Sequence, residues 1–289
     1  MKFLLFCFLL FFTLNGFSKP IVNDTIADSK KKENTKAFDQ LKRALVTKYA
    51  HAKPGKFGEF VKGSNIKLNT NEKVVALTFD ACAGKGKWGY NSALIDYLRN
   101  EKIPATLFVS GKWINSNVKT FKSLVSDSLF EIENHGDKHR LCSVTGASVY
   151  GIQGTHDVSE VVDEMELNAI RIEKYTGKRP KFFRSATVFI DETSVNIAND
   201  LGMQVVSYSV LSGDAIANTP DSVICSNILS TVEAGSIVIM HFNHPLWQEK
   251  QALQKVIPAL RDKGFSFVKL QDYKLLDKRA IKNRIKATN

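Results

Sequence analysis

After its first 20 residues the sequence has no apolar run long enough to cross a bilayer as a helix. Cysteine is scarce, with four in 289 residues. Acid is under-represented, since 29 Asp and Glu face 40 Lys and Arg for a formal net charge of +11. There is no internal repeat, and no linker interrupts residues 74–272. Each absence narrows the answer. Without a later apolar span the mature chain is expected to be soluble, and without a repeat it is not an array of small units. With 44% hydrophobic and 24% charged residues the balance is that of an ordinary globular protein. The length suits one large domain or two small ones, and it allows a single α/β barrel.

What is present begins with "MKFLLFCFLLFFTLNGFSKP". One early lysine, an apolar run of about a dozen residues and then small or polar residues have the layout of a secretory signal. Cleavage is expected near Ser18, so residues 1–18 are read as leader, with a retained N-terminal anchor as the alternative. Cys7 lies too early in the run for a lipid-attachment cysteine. The mature protein is therefore expected to be exported, periplasmic or secreted. Much of the basic excess sits in two end segments, "ADSKKKENTKAFDQLKRALVTKYAHAKPGK" and "KLLDKRAIKNRIKATN". These read as solvated faces or tails. The functional alternative is electrostatic association with an anionic envelope polymer or membrane surface. Export argues against nucleic acid as a partner.

Residues 19–72 are polar and Lys-rich, with one amphipathic stretch around "AFDQLKRALVTKY", and read as an N-terminal extension. Residues 73–272 alternate strand and helix. Strands are expected in "VVALTFD", "PATLFVSG", "LFEIENH", "KFFRSA", "QVVSYSVLS", "SIVIMHF" and "FSFVKL". Helices are expected at about 91–101, near 112–126, through "SEVVDEMELNAIRIEKYTG" to a glycine stop at Gly177, near 191–201, in "PDSVICSNILSTVEAG", and in "EKQALQKVIPALRDKG" with Pro258 inside it. Residues 273–289 read as a basic tail. This alternation argues for a mostly parallel sheet covered by helices. Six strands end on Asp80, Ser110, His135, Arg184, Asp214 and His241. Parallel α/β folds place their sites at the carboxyl ends of strands, so one barrel mouth would gather these groups.

In "ENHGDKHRLC", His135 and His139 are four residues apart. If the chain turns helical after the strand, both imidazoles share a face and can hold one metal. His241 closes the wholly apolar run of "IVIMHFNHP", where a polar group is expected to face the mouth. In this order and spacing, "TFDA", "NHGDKH", "FFRSA", the Asp of "SGDA" and "IVIMH" resemble the motifs of the polysaccharide deacetylases. That family carries the NodB homology domain and is also called carbohydrate esterase family 4. The resemblance covers about residues 73–272, and it extends to a subgroup with "TFDAC" and a "YGIQGT"-like loop, here residues 150–155.

The resemblance implies a distorted seven-stranded (β/α) barrel that hydrolyses N-acetyl groups on amino sugars. It implies that Asp80 is the general base, Arg184 its support, His241 the acid that protonates the leaving amine, and Asp214 the group that tunes His241. It further implies a divalent metal, zinc first among the candidates, on His135 and His139. The chemistry asks for the same division of labour: an activated water, a polarised carbonyl and a proton for the departing nitrogen.

The sequence departs from the family at Ala81, where a second acid would complete the ligand set. Four accounts stand open. Asp80 is itself a ligand; an acid such as Asp137 or Asp157 fills the gap; two histidines and waters suffice; or the site is metal-free. "RSATVF" replaces the family's Arg, Pro and aromatic pattern, with Phe189 as a substitute aromatic, and Ala215 stands where an aromatic is expected. Removing the leader leaves Cys82, Cys142 and Cys225, an odd count that permits at most one internal bridge. Cys82 and Cys142 each follow a candidate active-site stretch and are the expected pair, whereas Cys225 reads as a buried structural thiol. A Cys82 nucleophile is a further, weaker reading. Trp88, Tyr90, Trp113 and Trp247 lie near the expected mouth, either stacking on sugar faces or simply buried.

The function expected is therefore removal of acetyl groups from an N-acetylated glycan. Peptidoglycan leads, with chitin oligomers and exopolysaccharide behind it. The alternatives are a non-catalytic glycan-binding relative with a degenerate metal site, and a related amidase acting on a small cyclic amide. The oligomeric state is not legible.

Overall fold

The computed structural model describes residues 22–86 and 89–277. The leader read over 1–18, Trp88 and residues 278–289 of the basic tail lie outside the described residues. The chain divides into two units, Met1–Arg43 and Ala44–Asn289. What is described of the first is the larger part of helix Val22–Lys48 (α1). The second contains everything else.

Its strands in chain order are Phe57–Gly58 (β1), Asn65–Leu68 (β2), Val74–Ala81 (β3), Ala105–Val109 (β4), Phe130–Asn134 (β5), Phe182–Phe183 (β6), Ile190–Asp191 (β7), Gln204–Val205 (β8), Val210–Leu211 (β9), Ser236–His241 (β10), Ser266–Val268 (β11) and Leu275–Asp277 (β12). Between them run helices Ser92–Asn100 (α2), Gly111–Ser116 (α3), Val118–Val125 (α4), Val158–Thr176 (α5), Glu192–Asp200 (α6), Asp221–Thr231 (α7) and Glu249–Asp262 (α8). Parallel pairing runs β10–β3–β4–β5–β6–β8. The segment expected as one fifth strand, 204–212, is split. Its first half, β8, pairs with β6, and its second half, β9, pairs with β10. The split lets one short segment leave one edge of the curled sheet and reach the other, so the strands form the expected distorted (β/α) barrel. β11 also pairs in parallel with β3, along Val74–Ala76, while β4 takes Thr78–Ala81.

β3 is buried along its whole length, as a parallel strand covered on both faces must be. Its period of two sorts its side chains. Val75, Leu77, Phe79 and Ala81 join Val238, Met240, Leu253 and Val256 in the apolar layer between sheet and helices. Val74 and Ala76 join Phe108, Phe182 and Ile237 in a second cluster. Asp80 belongs by parity to that second set, and it stands opposite His241 in the β3–β10 register.

Two boundaries differ from the sequence reading. The helix expected near 112–126 is broken at Asn117, whose side chain accepts from Gly86 N (2.8 Å) and donates to the carbonyls of Gly84 and Trp113 (both 2.9 Å). The sheet also reaches past residues 73–272, because β2 pairs with β10 and β12 pairs with β2, both antiparallel. Among the described residues no helix is long and apolar enough to cross a membrane.

Candidate active site

Asp80 leaves the end of β3 with 2% of its surface exposed. Its Oδ1 accepts from Arg184 Nη1 at 2.8 Å, and its Oδ2 lies 3.8 Å from His135 Nε2. Arg184, just beyond β6, is itself fully buried. Its Nη2 donates to Ser207 O (3.0 Å), its Nε to Val206 O (3.4 Å), and the guanidinium lies 4.2 Å over the Phe108 ring. A buried guanidinium with every edge engaged cannot swing away, and the planar fork suits the carboxylate it faces.

His135 ends β5. Its Nδ1 is 2.9 Å from Arg184 O; a carbonyl only accepts, so Nδ1 carries the proton and Nε2 keeps its lone pair for the mouth. His139 reaches the same place, with ring centroids 4.9 Å apart, but not by the helical turn expected from the spacing. The segment is a loop with positive φ at Gly136 (80°) and at His139 (55°). Glu164 of α5 holds it there. Its carboxylate accepts from Lys138 N (3.0 Å) and from Arg140 N (2.9 Å), the amides on either side of His139. A Cβ at Gly136 would collide with that same carboxylate, so the glycine is needed for the approach. His139 Nε2 is buried and has no hydrogen-bond partner in the protein.

The two acids considered as substitutes for Ala81 are placed elsewhere. Asp137 pairs with Arg171, and Asp157 caps α5 by accepting from Glu160 N at 2.8 Å. Ala81 packs in the apolar layer under the helices. The neighbour that arrives is Cys82, whose Sγ is 3.6 Å from His135 Nε2. Ligand atoms of Cys82, His135 and His139 all lie within 4.8 Å of one another. Burial pushes the Cys82 thiol up, but the imidazoles of His139, His135 and His241 beside it outweigh that and hold the group well below the usual thiol range. The disulfide expected with Cys142 is not formed, and Cys82, Cys142 and Cys225 are all free thiols. Cys142 is buried, with its backbone N–H donating to Ser185 Oγ at 3.0 Å. Cys225 is half-buried against the core.

Opposite this group, His241 Nδ1 is 3.3 Å from each oxygen of Asp214. Asp214 is fixed by Ser212 Oγ (2.8 Å) and by the backbone N–H of His241 (2.6 Å). Burial opposes a charge on His241, yet the Asp214 carboxylate outweighs it and holds the imidazole well above its ordinary value. Trp247 stands edge-on to His241 at 5.7 Å and stacks on His244 at 3.8 Å. Ser110, the remaining strand-end group, caps α3 and donates to Cys82 O at 2.6 Å.

Of the aromatics expected at the mouth, Trp113 is core, with Nε1 bonded to Gly89 O, and Tyr90 packs against the same core. Phe189 instead joins Phe57 (5.6 Å) and Tyr150 (6.0 Å). Beside it, Thr187 and Val188 both have positive φ, at 52° and 68°. That is a strained conformation for β-branched residues, in the segment where the sequence departs from the family's Arg-Pro pattern.

All six expected site residues thus converge on one mouth. Sequence reasoning missed Cys82 as a member of the histidine cluster and Glu164 as the support of its loop. A signal existed for each. Cys82 follows Asp80 by two residues, the spacing that returns a strand to the same face. Glu164 is an acid among Val161, Val162 and Met165 on the buried side of α5. Two imidazoles, a sulfur favoured as thiolate and an unpartnered buried nitrogen among them are a donor set that fits a divalent metal.

A polysaccharide deacetylase family model matches residues 67–206, so Asp214 and His241 lie beyond the match. Among curated proteins, a peptidoglycan-N-acetylglucosamine deacetylase of Bacillus cereus is 28% identical over 231 residues, covering 78% of this chain and 72% of that one. YlxY of Bacillus subtilis, an uncharacterised protein, is 26% identical over 221 residues, covering 75% of this chain; the chain spans only 63% of its length. Among solved structures, the Bc1960 peptidoglycan N-acetylglucosamine deacetylase superposes with a TM-score of 0.63 at 24% identity, covering 73% of this chain and 92% of that one. The last is a likeness of fold.

Proposed function

We propose, from the premise that this chain belongs to the polysaccharide deacetylase family, that it hydrolyses the N-acetyl group of an amino sugar in an exported glycan. The observation that carries the proposal is the opposed pair at one mouth: Asp80 on Arg184, and His241 on Asp214. One side is a carboxylate paired with a guanidinium, and the other is an imidazole held protonated by a carboxylate. Amide hydrolysis needs both at once.

In this reading Asp80 takes a proton from the attacking water, and Arg184 holds its carboxylate aimed at the mouth. The water oxygen bonds to the acetyl carbon. The carbon–nitrogen bond then breaks as His241 gives its Nε2 proton to the departing nitrogen, so the products are acetate and a free amine. Asp214 orients His241 through Nδ1, leaving Nε2 for the substrate. His135 and His139 would hold a divalent metal. When bound, it would polarise the acetyl oxygen and acidify the water.

Peptidoglycan is the favoured glycan, supported by the relatives' names and by the leader-like N-terminus; chitin oligomers and exopolysaccharide follow. The basic excess of the chain would favour residence near an anionic envelope.

The test is acetate release from peptidoglycan fragments and from N-acetylglucosamine oligomers by metal-loaded protein. His135→Ala and His139→Ala should each abolish it. Release that survives both would sink the metal-assisted mechanism. Glycan binding without release would mark a non-catalytic relative, and hydrolysis of a cyclic amide alone would mark the small-molecule amidase.

A further inference from the structure

The mouth holds a sulfur that the hydrolytic roles leave unused. We infer that Cys82 is the third protein ligand of the metal, in place of the missing acid, and that its thiolate makes this a zinc site rather than one for magnesium or manganese. The inference rests on the reading above only in expecting a metal at all.

Three observations carry it. First, the strand's period places the donor. Residue 81 turns toward the helices and its methyl group sits in their apolar layer. Residue 82 turns back toward the face of Asp80 and the histidines, 3.6 Å from His135 Nε2. Second, the three ligand atoms lie within 4.8 Å of one another, a spacing that one ion between them would span, since Zn–N and Zn–S bonds are roughly 2.0–2.3 Å. Third, His139 Nε2 is buried with no partner. Such an atom is costly unless something satisfies it, and here the loop is held by Glu164 so that it points inward.

The other accounts of the gap fit less well. Asp80 already gives one oxygen to Arg184 and falls outside the three-donor cluster. Asp137 and Asp157 are committed to Arg171 and to the α5 cap. With Cys82 as ligand, Asp80 stays free to act as base. Two imidazoles and one thiolate leave an open position, the arrangement of catalytic rather than structural zinc. A soft sulfur also disfavours the hard cations that a carboxylate would accept.

The experiment strips the purified protein with a chelator and titrates it with zinc, manganese and cobalt. It reads bound metal per chain and the near-ultraviolet sulfur-to-cobalt absorption. One zinc per chain is expected, with manganese far weaker, and the cobalt form should show the sulfur band. Cys82→Ser should erase the band and weaken zinc by more than the roughly 10- to 100-fold that loss of an outer-shell partner costs. Cys142→Ser and Cys225→Ser should keep both. Cys82→Asp should still take up one metal, now without the band and with manganese closer to zinc. Undiminished zinc affinity in Cys82→Ser, a band that persists in Cys82→Asp, or wild-type protein that binds no metal overturns the inference. Acetate release is scored separately. A band that follows Cys82 without any release defeats the deacetylase reading and leaves the site; release with a band indifferent to Cys82 does the reverse.

Discussion

Asp214 engages His241 twice, through the ring nitrogen and through the backbone N–H. The second contact fixes the carboxylate whatever the charge of the ring. Burial lowers the imidazole's proton affinity and Asp214 raises it, and Asp214 wins. Because the folded value is raised above the ordinary imidazole value of about 6.5, the stabilising pair is fully present below that pH. It is lost only as pH rises through the folded value. The proton donor should therefore survive neutral pH, and the alkaline limb of kcat/KM should lie well above 6.5. Asp214→Asn removes the opposing charge and leaves burial in command, so that limb should move down into or below neutrality. His241→Ala should lower kcat by roughly 10²- to 10⁴-fold with little change in KM. A pH–rate profile of the three proteins decides it, and an alkaline limb unmoved in Asp214→Asn would remove Asp214 from the role. At this scale the strand-end polar groups were legible, because a polar residue closing an apolar strand has few places to go but the mouth. Cys82 was not, because export drew it toward a disulfide and its distance from the histidines is a property of the loop after β5.

Elements place these groups by devices that single residues do not announce. The His135–His139 loop looks helical by spacing, yet it is a turn braced from outside by α5. Glu164→Ala would leave the amides of Lys138 and Arg140 without their acceptor and release His139 from its left-handed conformation. The expected result is metal affinity lower by about 10- to 100-fold and a lower melting temperature, with Glu164→Gln intermediate because one amide oxygen still accepts. Zinc titration and thermal unfolding check both. The loop after the histidines works the other way, outward. Val149 and Ile152 form an antiparallel bridge around Tyr150 and Gly151, whose φ values are 55° and 73°. Two positive φ values in a two-residue connection mark a type I′ turn. It lifts Tyr150, 77% exposed, edge-on above Phe189. A ring so presented suits the face of a sugar away from the reacting acetyl. Tyr150→Ala should raise KM for longer glycan oligomers and leave kcat nearly unchanged; an unchanged KM would mean the ring has no part in binding. The helix starts and stops in this region were readable from the sequence, down to Gly177 with its φ of 69°. The break at Asn117 was not, since it comes from an asparagine tied to a distant loop.

For the molecule as a whole, the barrel's two-sided strands decide what belongs to the domain. The alternation of strand and helix was open to reading because parallel strands covered by helices leave long apolar runs. The ends were not, because β2 and β12 are only four and three residues long, and only their pairing makes them part of the sheet. That pairing bears on the domain limits read as 73–272. β12 covers the edge of β2, which in turn pairs with β10, the strand that carries His241. Deleting residues 273–289 strips that cover and leaves Leu68 and Leu270 nearer to solvent at the foot of the barrel. For a domain this large about 1 kcal/mol shifts the melting temperature by roughly 2–4 °C, so a drop of several degrees is expected, with metal still bound. Deleting residues 1–43 should change neither the melting temperature nor the metal bound, because the unit Ala44–Asn289 itself holds every described strand and every site residue. Within that unit Lys48 and Tyr49 keep their bonds to Asp200 (2.6 and 2.7 Å). If the first deletion leaves the melting temperature unchanged, the domain ends at residue 272 after all; if the second lowers it, the N-terminal unit is part of the fold.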